Sequence, residues 1–188
     1  MPATQTSALQ PLRGVRVVTL ALNLPGPAAV MRLRALGARC TKLEPLAPAG
    51  QTTADPMGLY KPAAYAAMHE GVRVVCADLK HPKGQAVLHR ELAKADVLIT
   101  SFRASALNKL GLDWATLHQR HPSLCMVSIV GARGARADEP GHDLTYLAEN
   151  DLVTGLDLPA TLYADMGGSL LTTEAVLSLI HISEPTRH

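Results

Sequence analysis

Short apolar runs recur along the chain, separated by stretches of helical composition or by proline- and glycine-rich breaks. Val15-Arg16-Val17-Val18-Thr19-Leu20 is β-branched and reads as a buried strand. Asn23-Leu24-Pro25-Gly26-Pro27 stops it, and 28–36 has helical composition. A proline suits the first turn, where its missing N–H would have had no partner anyway. Gly37 fits the end of that helix. Cys40-Thr41-Lys42-Leu43-Glu44 predicts a second strand, closed by Pro45. Residues 45–71 form a long Pro/Ala/Gly-rich stretch with a short helix over 63–68, and its length points to a functional loop. Further strands are predicted at 73–77, 96–100 and 124–130, the last being the strongest run in the chain. Helices are predicted over 82–94, 104–110 and 114–120.

Strands that are apolar throughout and alternate with helices predict an α/β fold: a Rossmann-like parallel sheet with helices on both faces. Ligands in such sheets bind beyond the carboxyl ends of the strands. That rule selects the loops 21–27, 45–50, 78–81, 101–105 and 131–143. No internal repeat is visible.

Composition narrows the function. Apolar residues make up 47% of the 188 and charged residues 18%, which excludes a disordered chain. One Phe, one Trp and four Tyr leave an aliphatic core and no stacking platform for single-stranded nucleic acid. A net charge of +2 supplies no basic stripe to track a phosphate backbone. There is no run long enough for a membrane span and no hydrophobic signal core at the start. Cys40, Cys76 and Cys125 are odd in number and far apart, so they read as small buried hydrophobes in a reducing compartment. The expectation is a cytoplasmic protein that meets neither nucleic acid nor membrane.

Candidate chemistry follows the strongest strand. Neither G-x-G-x-x-G, nor a Walker A loop, nor a G-x-S-x-G elbow is present. His118 and His121 form an H-x-x-H pair without a third ligand nearby, which reads as a solvated helix end, and no metal site is expected. The segment 131–136, beginning at Gly131, suits a cradle of backbone N–H groups for a phosphorylated or acyl ligand, and equally a plain solvent loop. Asp143 suits a helix N-cap, or, beside His142, acid–base or nucleophilic work at the mouth of the sheet. Asp165, before a helix rich in Leu and Thr, carries the same two readings.

Seven segments in order carry a resemblance: LRGVRVVTLA, PGP with LRALGARCTKLEP, VRVVCADLKHPKG, ADVLITSFR, NKLGLDWATLHQRHPSLCMVSIVG, PGHDLTYLA and LYADMGG. Together they resemble the N-terminal part of the family III CoA-transferases, which include the α-methylacyl-CoA racemases. The resemblance implies a Rossmann-like large domain, a smaller second domain, and a homodimer of interlocked subunits. It implies acyl-CoA and a carboxylic acid acceptor as partners, with coenzyme A a substrate thioester and no separate cofactor. Arg103 matches a position associated with CoA binding, where a guanidinium fork suits phosphates, and Lys42 is a further candidate for that task. Asp143 matches the aspartate that attacks the thioester in the transferase branch to form a mixed anhydride. In the racemase branch His142 and Asp165 would flank the carbon beside the thioester carbonyl, one removing a proton and the other returning it. The transferase reading leads at this point, the racemase is the alternative, and a non-catalytic CoA- or nucleotide-binding module is a third. Two departures stand out: Val72 where the family has lysine, and Ala104-Ser105 where it has Pro-Gly.

Three segments are expected: a disordered start over 1–12, a large domain over 13–176, and a non-native tail over 177–188. The tail expectation rests on LSLIHISEPTR, which matches the translation of a sequencing-library adapter. On that reading the chain is a fragment, inactive by itself.

Overall fold

The computed structural model describes residues 9–183. The strands are β1 (Arg16–Thr19), β2 (Arg39–Glu44), β3 (Arg73–Cys76), β4 (Val97–Thr100) and β5 (Cys125–Ser128). The helices are α1 (Pro25–Ala35), α2 (Pro56–Tyr60), α3 (Pro62–Met68), α4 (Pro82–Leu92), α5 (Ala104–Lys109), α6 (Trp114–Arg120), α7 (Asp143–Glu149) and α8 (Tyr163–Ser183). The sheet is parallel throughout in the order β3-β2-β1-β4-β5. This is the doubly wound arrangement that the alternating runs predict, with the order reversing between β1 and β4.

Successive strand side chains point to opposite faces, so each central strand feeds two cores. Val18 and Leu98 join Leu88, Leu92, Leu107 and Leu117 under α4, α5 and α6. Val17, Val97 and Ile99 join Val30, Leu33 and Val176 under α1 and α8. The outer strands differ from the expectation: every residue of β5 is half-buried or exposed, and Val74 of β3 is exposed. An apolar run reports a strand but not its position in the sheet, and both β3 and β5 are edges.

Both ends of the described residues pack against the rest of the fold. Leu12 is wholly buried and donates its N–H to the Leu36 carbonyl, so order is established before residue 13; residues 1–8 lie outside the described residues. At the other end α8 runs on through 177–183, with Leu177 and Ile180 packed on the α1 core; 184–188 lie outside the described residues. The stretch 45–71 holds two helices rather than one, because Asp55 caps α2 by accepting from the Met57 N–H at 3.0 Å. Gly37 takes φ +103° just past α1, the helix-ending role its position suggests. Of the cysteines, Cys40 is buried, with its thiol pushed up to about 12 by desolvation, while Cys76 is exposed, contrary to its reading as a core residue.

Candidate functional site

A cavity of about 520 Å³ opens at the carboxyl ends of β1 and β4, where the strand order reverses. Leu22 and Asn23 line it from the loop after β1, and Ser101 to Arg103 from the loop after β4. The Leu22 N–H donates to the Ser101 hydroxyl, holding the two loops together. The opposite wall comes from the segment after β5 and from the starts of α7 and α8. Loops 45–50 and 78–81 are absent from this wall; Leu79 and Lys80 line a separate open groove with His89, Lys109 and Arg120.

Arg103, Gly131, His142 and Asp165 all line the cavity. His142 occupies the N-cap of α7, so Asp143 is the first helical residue and not the cap that its position suggested. Asp143 is buried, and its Oδ1 accepts the backbone N–H of Asp165 at 2.9 Å. That carboxylate therefore caps the neighbouring helix α8 instead of its own. Asp165 sits in the first turn of α8, half-buried, with its carboxyl raised above the usual carboxylate range. Burial is the main cause and the charge of Asp143 the second, while His142 nearby pulls the other way. A carboxyl with raised proton affinity and an exposed imidazole thus share one cleft.

Arg103 occupies the N-cap position of α5 without a side-chain capping bond, lies exposed at the cavity wall, and forms no ion pair among the described residues. Arg136 differs: it pairs with Glu139 at 2.7 Å and Glu149 at 2.8 Å, so the basic character of 131–136 is partly neutralised. His118 stacks on Trp114 and His121 on His89, so the H-x-x-H histidines face different neighbours.

Lys42 is not brought to the cavity. At the end of β2 it is completely buried, and its ammonium contacts Asp55 Oδ2, Glu44 Oε1 at 3.0 Å and His69 Nε2 at 2.9 Å. His69 Nδ1 lies 2.7 Å from the Tyr65 carbonyl, which fixes Nδ1 as the protonated nitrogen and leaves Nε2 to accept from Lys42. All three ammonium protons are thereby used, and none remains for a phosphate. Tyr65 and Thr53 donate to Glu44, at 2.6 and 2.5 Å. Asp55 Oδ1 accepts from the Asn23 N–H at 3.1 Å. Asn23, at φ +62°, lines the cavity, so the buried cluster braces the cavity's edge. Glu44, Asp55 and His69 group their donor atoms as metal ligands do, but Lys42 already supplies the cation among them.

Sequence reasoning missed Tyr146 on the cavity wall and the partners of Lys42. The spacing from His142 to Tyr146 is the helical i, i+4 step that puts two side chains on one face, so Tyr146 was within reach of the sequence. Asp55 was legible as a cap before Pro56, but nothing local joins His69 to Lys42.

A doubly wound domain with an acid–base cleft at its switch point is the class that fold and site define. Within that class, the family model "CoA-transferase family III" matches residues 12–183. The cinnamoyl-CoA:phenyllactate CoA-transferase of Clostridium sporogenes is 33% identical over 149 residues, 76% of this chain and 36% of that protein. The alpha-methylacyl-CoA racemase of Mus musculus is 34% identical over 179 residues, 89% of this chain and 43% of that protein. A CAIB/BAIF family protein from Brucella suis superposes with a TM-score of 0.79 at 29% identity, covering 95% of this chain and 51% of that one. The chain belongs to CoA-transferase family III. It spans about half, or less, of the length of these relatives.

Proposed function

We propose that this chain carries the acyl-CoA site of an enzyme that moves a proton at the carbon beside the thioester carbonyl, as in 2-methylacyl-CoA racemisation. One observation carries the reading: His142 and Asp165 face the same cavity, while the Asp143 carboxylate is buried and engaged with the Asp165 N–H. In this reading the imidazole of His142 takes the α-proton, and the electron pair left behind becomes an enolate. Asp165, whose raised proton affinity suits it to hold a proton, delivers that proton to the opposite face. Arg103, uncommitted at the wall, is the candidate partner for the CoA phosphates.

CoA transfer to a carboxylic acid through an Asp143 anhydride is the second reading, favoured by the transferases among the relatives. It requires the buried Asp143 carboxylate, whose Oδ1 is held by the Asp165 N–H, to reach the thioester through its other oxygen or on release of that bond. The smaller second domain, the interlocked homodimer and a cytoplasmic setting are part of the proposal for the whole protein. So is a fragment that is inactive alone.

Separate substitutions in the whole protein distinguish the readings. His142→Ala and Asp165→Ala are expected to cut racemisation of 2-methylacyl-CoA by about 100-fold or more. Asp143→Ala is expected to leave the larger part of it. Loss of acyl transfer in Asp143→Ala, with no racemisation in the wild type, would replace the first reading with the second.

A further inference from the structure

Tyr146 lines the cavity, yet neither reading gives it a task. It lies one helical turn beyond His142 on α7, so both side chains reach the same space. Two glycines make room for its ring. A β-carbon on Gly131 would fall 2.0 Å from the Tyr146 hydroxyl oxygen, and one on Gly141 would fall 2.6 Å from it. Neither glycine has the positive φ that only glycine adopts readily, so the space itself is what they provide. The phenol is half-buried, and its hydroxyl has no hydrogen-bond partner among the described residues. A tyrosine with its body packed and its polar tip unpartnered in a cleft is placed to receive a ligand atom.

We infer that the Tyr146 hydroxyl donates a hydrogen bond to the carbonyl oxygen of the bound acyl thioester and so distinguishes acyl-CoA from CoA itself. This rests on the acyl-CoA reading above and holds for either reaction, since both begin from the thioester carbonyl. It also gives Gly131 a second reason to be glycine: its missing side chain lets the phenol stand where it does.

The test is equilibrium binding by titration calorimetry in the whole protein, with isobutyryl-CoA and free CoA as the two probes. Isobutyryl-CoA has two identical methyl groups, so α-proton exchange in it produces no net reaction. Tyr146→Phe keeps the ring and removes only the hydroxyl. It is expected to weaken isobutyryl-CoA by about three- to tenfold, the worth of one such hydrogen bond, and to leave free CoA unchanged. Gly131→Ala, which crowds the ring out of place, is expected to weaken isobutyryl-CoA as well. Undiminished isobutyryl-CoA binding in Tyr146→Phe would overturn the inference. So would equal losses for both probes, the mark of a packing role. If wild-type protein binds neither probe, the acyl-CoA reading falls and takes this inference with it.

Discussion

Asp165 concentrates the chemistry of the site in one residue. Its carboxyl is half-buried beside the Asp143 charge, and both effects disfavour ionisation in the folded state. The raised folded value means that, above it, folding must hold an ionised carboxylate that the unfolded chain holds more easily. Asp165→Asn is therefore expected to stabilise the domain around neutral pH. The gain should fade as pH falls through the raised folded value and vanish below the unfolded value. Thermal unfolding across that range, wild type against variant, checks it; a variant less stable at neutral pH would contradict the assignment. At this scale the sequence showed residue types better than surroundings. His142, Arg103 and Gly131 converge because each lies in a loop beyond a strand's carboxyl end, a rule applicable without coordinates, and Asp165 joins them from the start of α8. Lys42 lies inside β2, short of the strand's carboxyl end, and turns inward. Glu44, two positions on in the strand, shares its face, whereas Asp55 and His69 reach it only through tertiary folding.

Among the elements, β2 does more than pair with its neighbours. Its last residues carry the buried cation and one of the two carboxylates that join β2 to α2, α3 and, through Asn23, to the loop after β1. Removing one partner of such a cluster leaves charges buried without compensation. Lys42→Met is expected to destabilise the domain by about 3–5 kcal/mol, measured by denaturant unfolding. A loss within the range of an ordinary surface substitution would show that Glu44 and Asp55 are not held as charges by Lys42. The elements themselves were largely legible, since every strand but β2 centres on an apolar run, and β2 is bounded by Gly37 and Pro45. What the runs hid was position in the sheet. The strongest of them, at 124–130, forms an edge, because an apolar run reports a strand but not its place in the strand order. The α2–α3 pair was half visible: its proline and cap lay in the sequence, but the apolar contacts of Met57 and Met68 with Ala28 did not.

The whole molecule leaves much apolar surface uncovered. Leu170 and Leu171 of α8, Leu152, Leu156 and Leu158 before it, and Val130 after β5 are all exposed. Apolar surface of this extent marks contact regions or an association liability. The 188-residue chain by itself is expected to self-associate in light scattering coupled to size exclusion, and Leu171→Lys to reduce that association. A monodisperse monomer at all concentrations would contradict the expectation. On the proposed reading the cleft at the β1/β4 switch point moves a proton at the carbon beside a thioester. The most direct measurement is deuterium incorporation at C2 of 2-methylacyl-CoA, with the whole protein in heavy water and no acceptor acid present. Incorporation that disappears in His142→Ala or in Asp165→Ala is the result expected. Substrate recovered without deuterium, from protein that transfers CoA once an acceptor acid is added, would contradict it.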